Sequence, residues 1–375
     1  MPASDMHKQK GETNPSALAG ILDVPPFSLE HKEKAALYLR ALSDLTKRHY
    51  AGCPRYKRLL DALGFEPGRA KSPEDIPFIP VRLFKEYDLL SVDRSQVVKT
   101  MTSSGTTGQS VSKIFLDRDT AANQTKVLAK VVSSFIGKKR LPMLIIDSKA
   151  VIKDRNLFSA RGAGILGFSM FGYDVAYALD DRMRIDIPLI LAFLEKHKGE
   201  QILLFGFTAI IWEHFYAALK TAGTRLPLEN GLLVHGGGWK KMAEQAVDNE
   251  AFKKALRDVC GVARVCNYYG MVEQTGSIFM ECEAGHLHAS IFSDVLIRDH
   301  RDFSSLPAGR QGLIQLLSLL PSSYPGHSIL SEDLGRILGE DDCPCGRKGK
   351  YFMVHGRIKN AEARGCSDTY ANSAR

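Results

Sequence analysis

What is missing from this 375-residue sequence removes whole classes of function. No apolar run approaches the ~20 residues that a helix needs to span a bilayer; the longest candidates are Leu141–Ile146 and Leu313–Leu320. Met1-Pro2-Ala3-Ser4-Asp5 carries no secretory pattern, so a cytoplasmic protein without an integral membrane segment is expected. Internal repeats and low-complexity tracts are absent. Long basic runs are absent too. The formal charge is +8, but clusters such as Lys138-Lys139-Arg140 and Lys240-Lys241 are short and the rest is dispersed. That argues against a nucleic-acid partner and fits a basic cleft for small anions. Seven cysteines in such a setting argue against disulfides.

What is present starts with Thr100–Gln109, which packs hydroxyls and glycines into one loop. Gly105 and Gly108 let backbone N–H groups converge on an anion, and Thr102, Ser103, Ser104, Thr106 and Thr107 add rotatable donors. The Lys-Ser/Thr pair of a Walker loop does not follow the second glycine. The bland alternative is a solvated turn. A second glycine run, within His235-Gly236-Gly237-Gly238-Trp239, directly follows the apolar segment Leu232–Val234. Beyond the carboxyl end of a strand in an α/β sheet, such a run lets a flat purine lie against bare backbone. A tight strand-to-helix turn would use the same residues.

The periodicity predicts an α/β protein. Met1–Val24 reads as a polar, loosely ordered lead. A helix capped by Ser28 runs through Leu45, a second covers Arg55–Leu63, and a third spans Asp119–Ile136 with Asp119 as its cap. Ser112–Leu116 reads as a strand, and Leu141–Ile146, Gln201–Phe205 and Leu232–Val234 read as parallel strands buried on both faces. Leu287–Ile297 and Gly312–Leu319 read as longer strands of a second sheet or a distorted barrel.

Four collinear segments resemble the adenylate-forming enzymes. Beside the Ser/Thr/Gly loop stand Asn267–Glu273, Ser331–Gly335 and Gly356-Arg357-Ile358-Lys359. The resemblance implies that Tyr268, Tyr269 and Gly270 meet adenine, with Tyr269 favoured as the contact and Tyr268 as core. It further implies that Glu273 meets Mg²⁺, that Asp333 holds the ribose, and that Arg357 orients the nucleotide or a hinge. Ile76–Pro80 with Leu83-Phe84-Lys85, Gly236–Lys240, Ser323-Tyr324-Pro325 and Arg364-Gly365-Cys366-Ser367 narrow the likeness to the acyl-protein synthetase (LuxE) family, from about Lys32 to Cys366.

That likeness implies a polar tail over 1–27 and a large adenylate-forming domain over 28–355, with layered α/β sheets and a β-rich subdomain. A much reduced C-terminal arm, 356–375, carries Cys366. The implied chemistry uses ATP and Mg²⁺ to convert a fatty acid to acyl-AMP, loads the acyl group on Cys366 as a thioester, and delivers it to a LuxC-type acyl reductase partner. Delivery to coenzyme A or a carrier protein, as in phenylacetate-CoA ligases, is the alternative, and a non-catalytic binding subunit is a third. The chain has no room for the C-terminal lobe of larger ligases, whose lysine assists adenylation, so Lys113 or Lys240 becomes a candidate for that role. Arg364 and Lys359 are cations near Cys366 that would favour its thiolate.

The remaining thiols suggest a second centre. Cys343-Pro344-Cys345, Cys282 and His288 would supply a Cys₃His set for structural Zn²⁺, with His286 as the alternative ligand. A similar arrangement occurs in phenylacetate-CoA ligase-like enzymes. A reduced turn with buried thiols competes with it. Phe205, Phe207, Trp212 and Phe279 could line an acyl tunnel or serve as core.

Overall fold

The computed structural model describes residues 17–103, 110–152 and 160–358. Ser104, Gly105, Thr106, Thr107 and Gly108 of the loop, and Cys366, lie outside the described residues. In chain order the strands are β1 (Ile79–Pro80), β2 (Lys99–Thr102), β3 (Lys113–Leu116), β4 (Leu141–Ser148), β5 (Gly172–Leu179), β6 (Ile202–Phe207) and β7 (Gly231–Gly236). They continue with β8 (Arg264–Tyr269), β9 (Phe279–Glu281), β10 (Leu287–His288), β11 (Ser293–Arg298), β12 (Gly312–Ser318), β13 (Ser328–Glu340) and β14 (Lys350–Arg357).

The three expected parallel strands form as β4, β6 and β7, and β5 and β8, which were not expected, extend them to the parallel order β5-β4-β6-β7-β8. The apolar runs of β4, β6 and β7 do not alternate with polar residues because both faces are covered. Met143, Ile145, Leu203, Phe205 and Leu232 enter a core with Val127, Val131 and Phe135 of the helix Arg118–Ile136. Their neighbours Leu144, Ile146, Leu204 and Leu233 enter the opposite core with Phe252 and Leu256 of the helix Asn249–Cys260. This is the two-residue period of a strand feeding two helix layers.

The second half differs from expectation. β9-β10-β14-β13-β12-β11 are antiparallel, yet they continue the same hydrogen-bonded sheet from β8 rather than forming a second one. Leu287–Ile297 is two strands, broken where Ser290 Oγ accepts from Phe292 N at 3.2 Å. Two caps also move. The helix Arg118–Ile136 is capped by Asp117, whose carboxylate accepts from Thr120 N at 2.8 Å, and Asp119 lies in its first turn. The first long helix is His31–Gly52, while Ser28 Oγ donates to Pro25 O at 3.0 Å. Within the lead expected to be loose, Ala17–Ile21 is helical and buries Leu18 and Ile21 in the core.

A buried ion triad ties that first long helix to the sheet. Asp294 on β11 accepts from Lys34 Nζ at 3.1 Å and from Lys350 Nζ of β14 at 3.0 Å. Burial alone would raise the Asp294 pKa, but the two ammonium groups outweigh it and hold it below the ordinary carboxylate value. Asp294→Asn leaves two buried cations without a counter-charge and should cost about 3–5 kcal/mol in urea unfolding. Because the folded pKa is depressed, the Asp294 contribution is present above pH ~4 and is lost as pH falls through the folded value. The acid limb of the wild-type stability curve should therefore flatten in the variant.

Candidate functional site

The hydroxyl-rich loop connects the antiparallel strands β2 and β3 in the sequence. Its mouth is closed by Ser103 and Ser112. Ser103 N donates to Ser112 O at 3.1 Å, and Ser112 N donates to Ser103 Oγ at 2.9 Å. Thr102 stands opposite Lys113 in the ladder. Lys113 Nζ lies 3.9 Å from Asp88 Oδ1, an exposed pair of small energetic weight.

The glycine run ends β7, beside β8. A Cβ at Gly236 would fall 2.5 Å from the Tyr268 ring, so only glycine permits this approach. Gly237 has φ +83°, a conformation that side chains disfavour, and a Cβ at Gly238 would meet nothing within 4 Å. The strand end therefore presents bare backbone backed by an aromatic ring. Tyr268 packs 5.2 Å from the Phe168 ring, which fits the core role expected of it. Gly270 follows β8, where a Cβ would sit 3.1 Å from Ile278 Cγ2, a tight fit that the isoleucine would have to ease by a few tenths of an ångström.

Tyr269 turns to the other half of the sheet. Its Oη donates to Asp333 Oδ2 at 2.6 Å. Burial, and then the adjacent Asp333 carboxylate, push the tyrosine pKa well up, so it stays a donor. Asp333 on β13 faces Arg357 on β14 in the ladder, and Arg357 Nε donates to Asp333 Oδ1 at 3.3 Å. Three residues from three strands thus meet at one carboxylate, and lone pairs remain for further donors.

Glu273 lies on the turn Val272–Gln274 after β8 and is only 5% exposed. Burial raises its pKa; the Ser112 hydroxyl and the more distant Arg357 charge only partly offset this. Among the described residues it makes no salt bridge. A buried acid without a counter-cation fits a divalent metal position.

The sulfur centre comes together as expected. The ligand atoms of Cys282, His288, Cys343 and Cys345 all lie within 4.8 Å of one another. Cys282 Sγ and Cys343 Sγ are 3.9 Å apart, and Cys345 Sγ is 3.3 Å from His288 Nε2. Tetrahedral zinc with bonds of about 2.3 Å to sulfur and 2.0 Å to nitrogen requires ligand separations of roughly this size. His286 Nδ1 is 3.4 Å from Cys343 Sγ, which keeps it as the alternative ligand. Burial is the main force pushing the Cys343 thiol up to about 12 and His288 down to about 4. At Cys345 burial is outweighed by contacts with Arg347 and the neighbouring thiols, and its pKa falls.

Other residues fall differently. Phe205 and Phe207 share one core, Trp212 packs against the opposite one, and Phe279 belongs to a third cluster, so the four do not line one tunnel. Lys240 has no described side chain. His235 directly precedes the glycine run. It is buried, with Nδ1 2.9 Å from Thr208 Oγ1, and burial first lowers its pKa to about 3. Thr208 Oγ1 in turn donates to Gly236 O at 3.1 Å, holding the strand end.

The family described as acyl-protein synthetase, LuxE, matches residues 6–374. The chain is similar to the long-chain-fatty-acid–luciferin-component ligase of Vibrio harveyi, at 22% identity over 351 residues covering 90% of this chain and 88% of that protein. It is also similar to phenylacetate-coenzyme A ligase of Thermus thermophilus, at 25% identity over 333 residues, 85% of this chain and 69% of that one. Among solved structures, 2-hydroxyisobutyryl-CoA ligase with 2-HIB-AMP and CoA superposes with a TM-score of 0.68 at 15% identity, covering 89% of this chain and 72% of that one. The fold is thus that of a CoA ligase solved with an acyl adenylate, as the motifs led us to expect. Gly236→Ala should displace the Tyr268 ring at a cost of about 1–3 kcal/mol, read as a lower melting temperature with altered tyrosine packing in near-ultraviolet circular dichroism.

Proposed function

The chain belongs to the acyl-protein synthetase family LuxE, and from that premise we propose that it activates a long-chain fatty acid with ATP in the cytoplasm and transfers the acyl group to its own Cys366. The observation that carries this reading is the meeting of the glycine run, the Tyr269–Asp333–Arg357 group and Glu273 around the carboxyl ends of β7 and β8. In the first step a carboxylate oxygen bonds to the α-phosphorus as the bond to pyrophosphate breaks. Asp333 would accept from the ribose hydroxyls while Tyr269 and Arg357 fix its plane. The hairpin loop would hold the phosphates, and the bare backbone of Gly236, Gly237 and Gly238 would take the purine face. Mg²⁺ held by Glu273 would neutralise charge on the leaving pyrophosphate.

In the second step the Cys366 thiolate would attack the acyl carbon, forming the C–S bond and releasing AMP. The thioester would pass to an acyl reductase partner. Structural zinc on Cys282, His288, Cys343 and Cys345 would tie the β9–β10 turn to the β13–β14 turn. A second reading, transfer to coenzyme A or another external thiol, is favoured by the similarity to phenylacetate-coenzyme A ligase.

Incubation with Mg-ATP and a panel of carboxylic acids, followed by intact-protein mass, separates the two. The expected outcome is a hydroxylamine-labile acyl mass that Cys366→Ser abolishes while pyrophosphate release persists. An acyl mass that survives the substitution, or turnover only with coenzyme A, would move the assignment to the second reading. For the metal, Cys345→Ser should lower zinc content measured by mass spectrometry from about one per chain toward zero and lower the melting temperature.

A further inference from the structure

The Ser323-Tyr324-Pro325 segment has no part in the reading above, yet it braces the turn that carries Glu273. Tyr324 is fully buried, and its Oη donates to the Glu273 carbonyl at 2.8 Å. Gly326 leaves space for this: a Cβ there would lie 2.2 Å from the Tyr324 ring and 3.1 Å from Glu273 O. Ser323 anchors the segment, its Oγ donating to Phe115 O of β3 at 2.8 Å and its carbonyl accepting from Ser91 N at 2.8 Å. On the other side of the turn, Gln274 Nε2 donates to Gly326 O at 2.8 Å and Leu316 O at 3.1 Å.

Behind the phenol lies Gln124, on the helix Arg118–Ile136 and 3% exposed. Burial pushes the Tyr324 pKa well up and the Gln124 amide only partly offsets this, while Gln124 Nε2 makes no hydrogen bond among the described residues. The helix approaches closely because residue 276 is glycine, where a Cβ would sit 2.7 Å from Gln124 O. A buried amide is expensive to leave half-satisfied, so its placement here calls for a role.

We propose that Tyr324, backed by Gln124, is a positioning residue that fixes the Glu273 turn and so aims the Glu273 carboxylate at its divalent cation. The proposal rests on the assignment of Glu273 given above. A carboxylate ligand rotates freely unless its backbone is held, and partners that orient ligands typically change metal affinity 10–100-fold when lost. The hydroxyl of Tyr324 is bonded to the Glu273 carbonyl and would act through that main chain.

The test measures Mn²⁺ binding by electron paramagnetic resonance on the full chain with the non-hydrolysable analogue AMPCPP. Tyr324→Phe keeps the ring and removes one hydroxyl, and Gln124→Leu keeps the volume. Each should weaken Mn²⁺ binding at least about 10-fold, leave metal-free AMPCPP affinity within about twofold, and shift the melting temperature by only a few degrees. The double variant should weaken Mn²⁺ binding by less than the product of the single effects, as expected of two residues in one relay. Mn²⁺ affinity unchanged in Tyr324→Phe overturns the proposal, as does an equal loss of metal-free nucleotide binding or a wild type that binds no Mn²⁺. A wild type that binds Mn²⁺ with AMPCPP but releases no pyrophosphate with any carboxylate overturns the functional reading alone.

Discussion

The hydrogen bond from Tyr269 Oη to Asp333 Oδ2 crosses from the last parallel strand to the antiparallel half of the molecule. Both groups are largely removed from water, and a charged acceptor makes the bond stronger than a neutral one would be. Around it the remaining parts take their places. β8 ends there, the Glu273 turn follows immediately, and β14 brings Arg357 to the same carboxylate. Without that link, backbone ladders, core packing and other side-chain bonds would still join the parallel strands that carry the glycine run to the antiparallel strands that carry Asp333, but they fix strand register and not the plane of that carboxylate.

The antiparallel half needs its own fasteners, because the β13–β14 hairpin must keep Asp333 and Arg357 in register. Two lie far from the nucleotide end. Lys350, at the start of β14, belongs to the buried triad with Asp294 and Lys34. The turn just before it holds Cys343 and Cys345, which converge on Cys282 and His288. Charge pairing and the thiol–imidazole cluster thus fall on neighbouring residues, at one end of the hairpin whose other end carries Asp333 and Arg357.

The sulfur cluster was legible in the sequence, because a Cys-x-Cys pair reveals itself by residue type and spacing, and Cys343 and Cys345 converge with Cys282 and His288. The glycine run read as a purine face or a tight turn, and what the structure puts against Gly236 is the Tyr268 ring. Non-local pairing was not legible. Periodicity near Leu287 cannot say that β10 will bond to β14, more than sixty positions away in the chain, so one sheet reads as two. Adjacent acids defeat cap assignment: Asp117 and Asp119 look alike until backbone geometry lets only Asp117 reach Thr120 N. Ser28 looked like a cap because its type suits one, but a proline carbonyl claimed it. Gln124 carried no local signal, and Tyr324 stood out only as part of Ser323-Tyr324-Pro325, with nothing to say what it would touch, since a buried polar contact is defined by what packs over it.

Strand pairing of Arg357 with Asp333 fixes where the chain leaves the sheet. From that exit to position 366, even a fully extended backbone reaches no more than about 30 Å. On the reading that Cys366 takes the acyl group, a thiol within that reach would act at an effective concentration on the order of millimolar. Acyl capture by Cys366 would then be a first-order event, indifferent to how dilute the protein is, and an external thiol would have to be supplied at comparable concentration to compete.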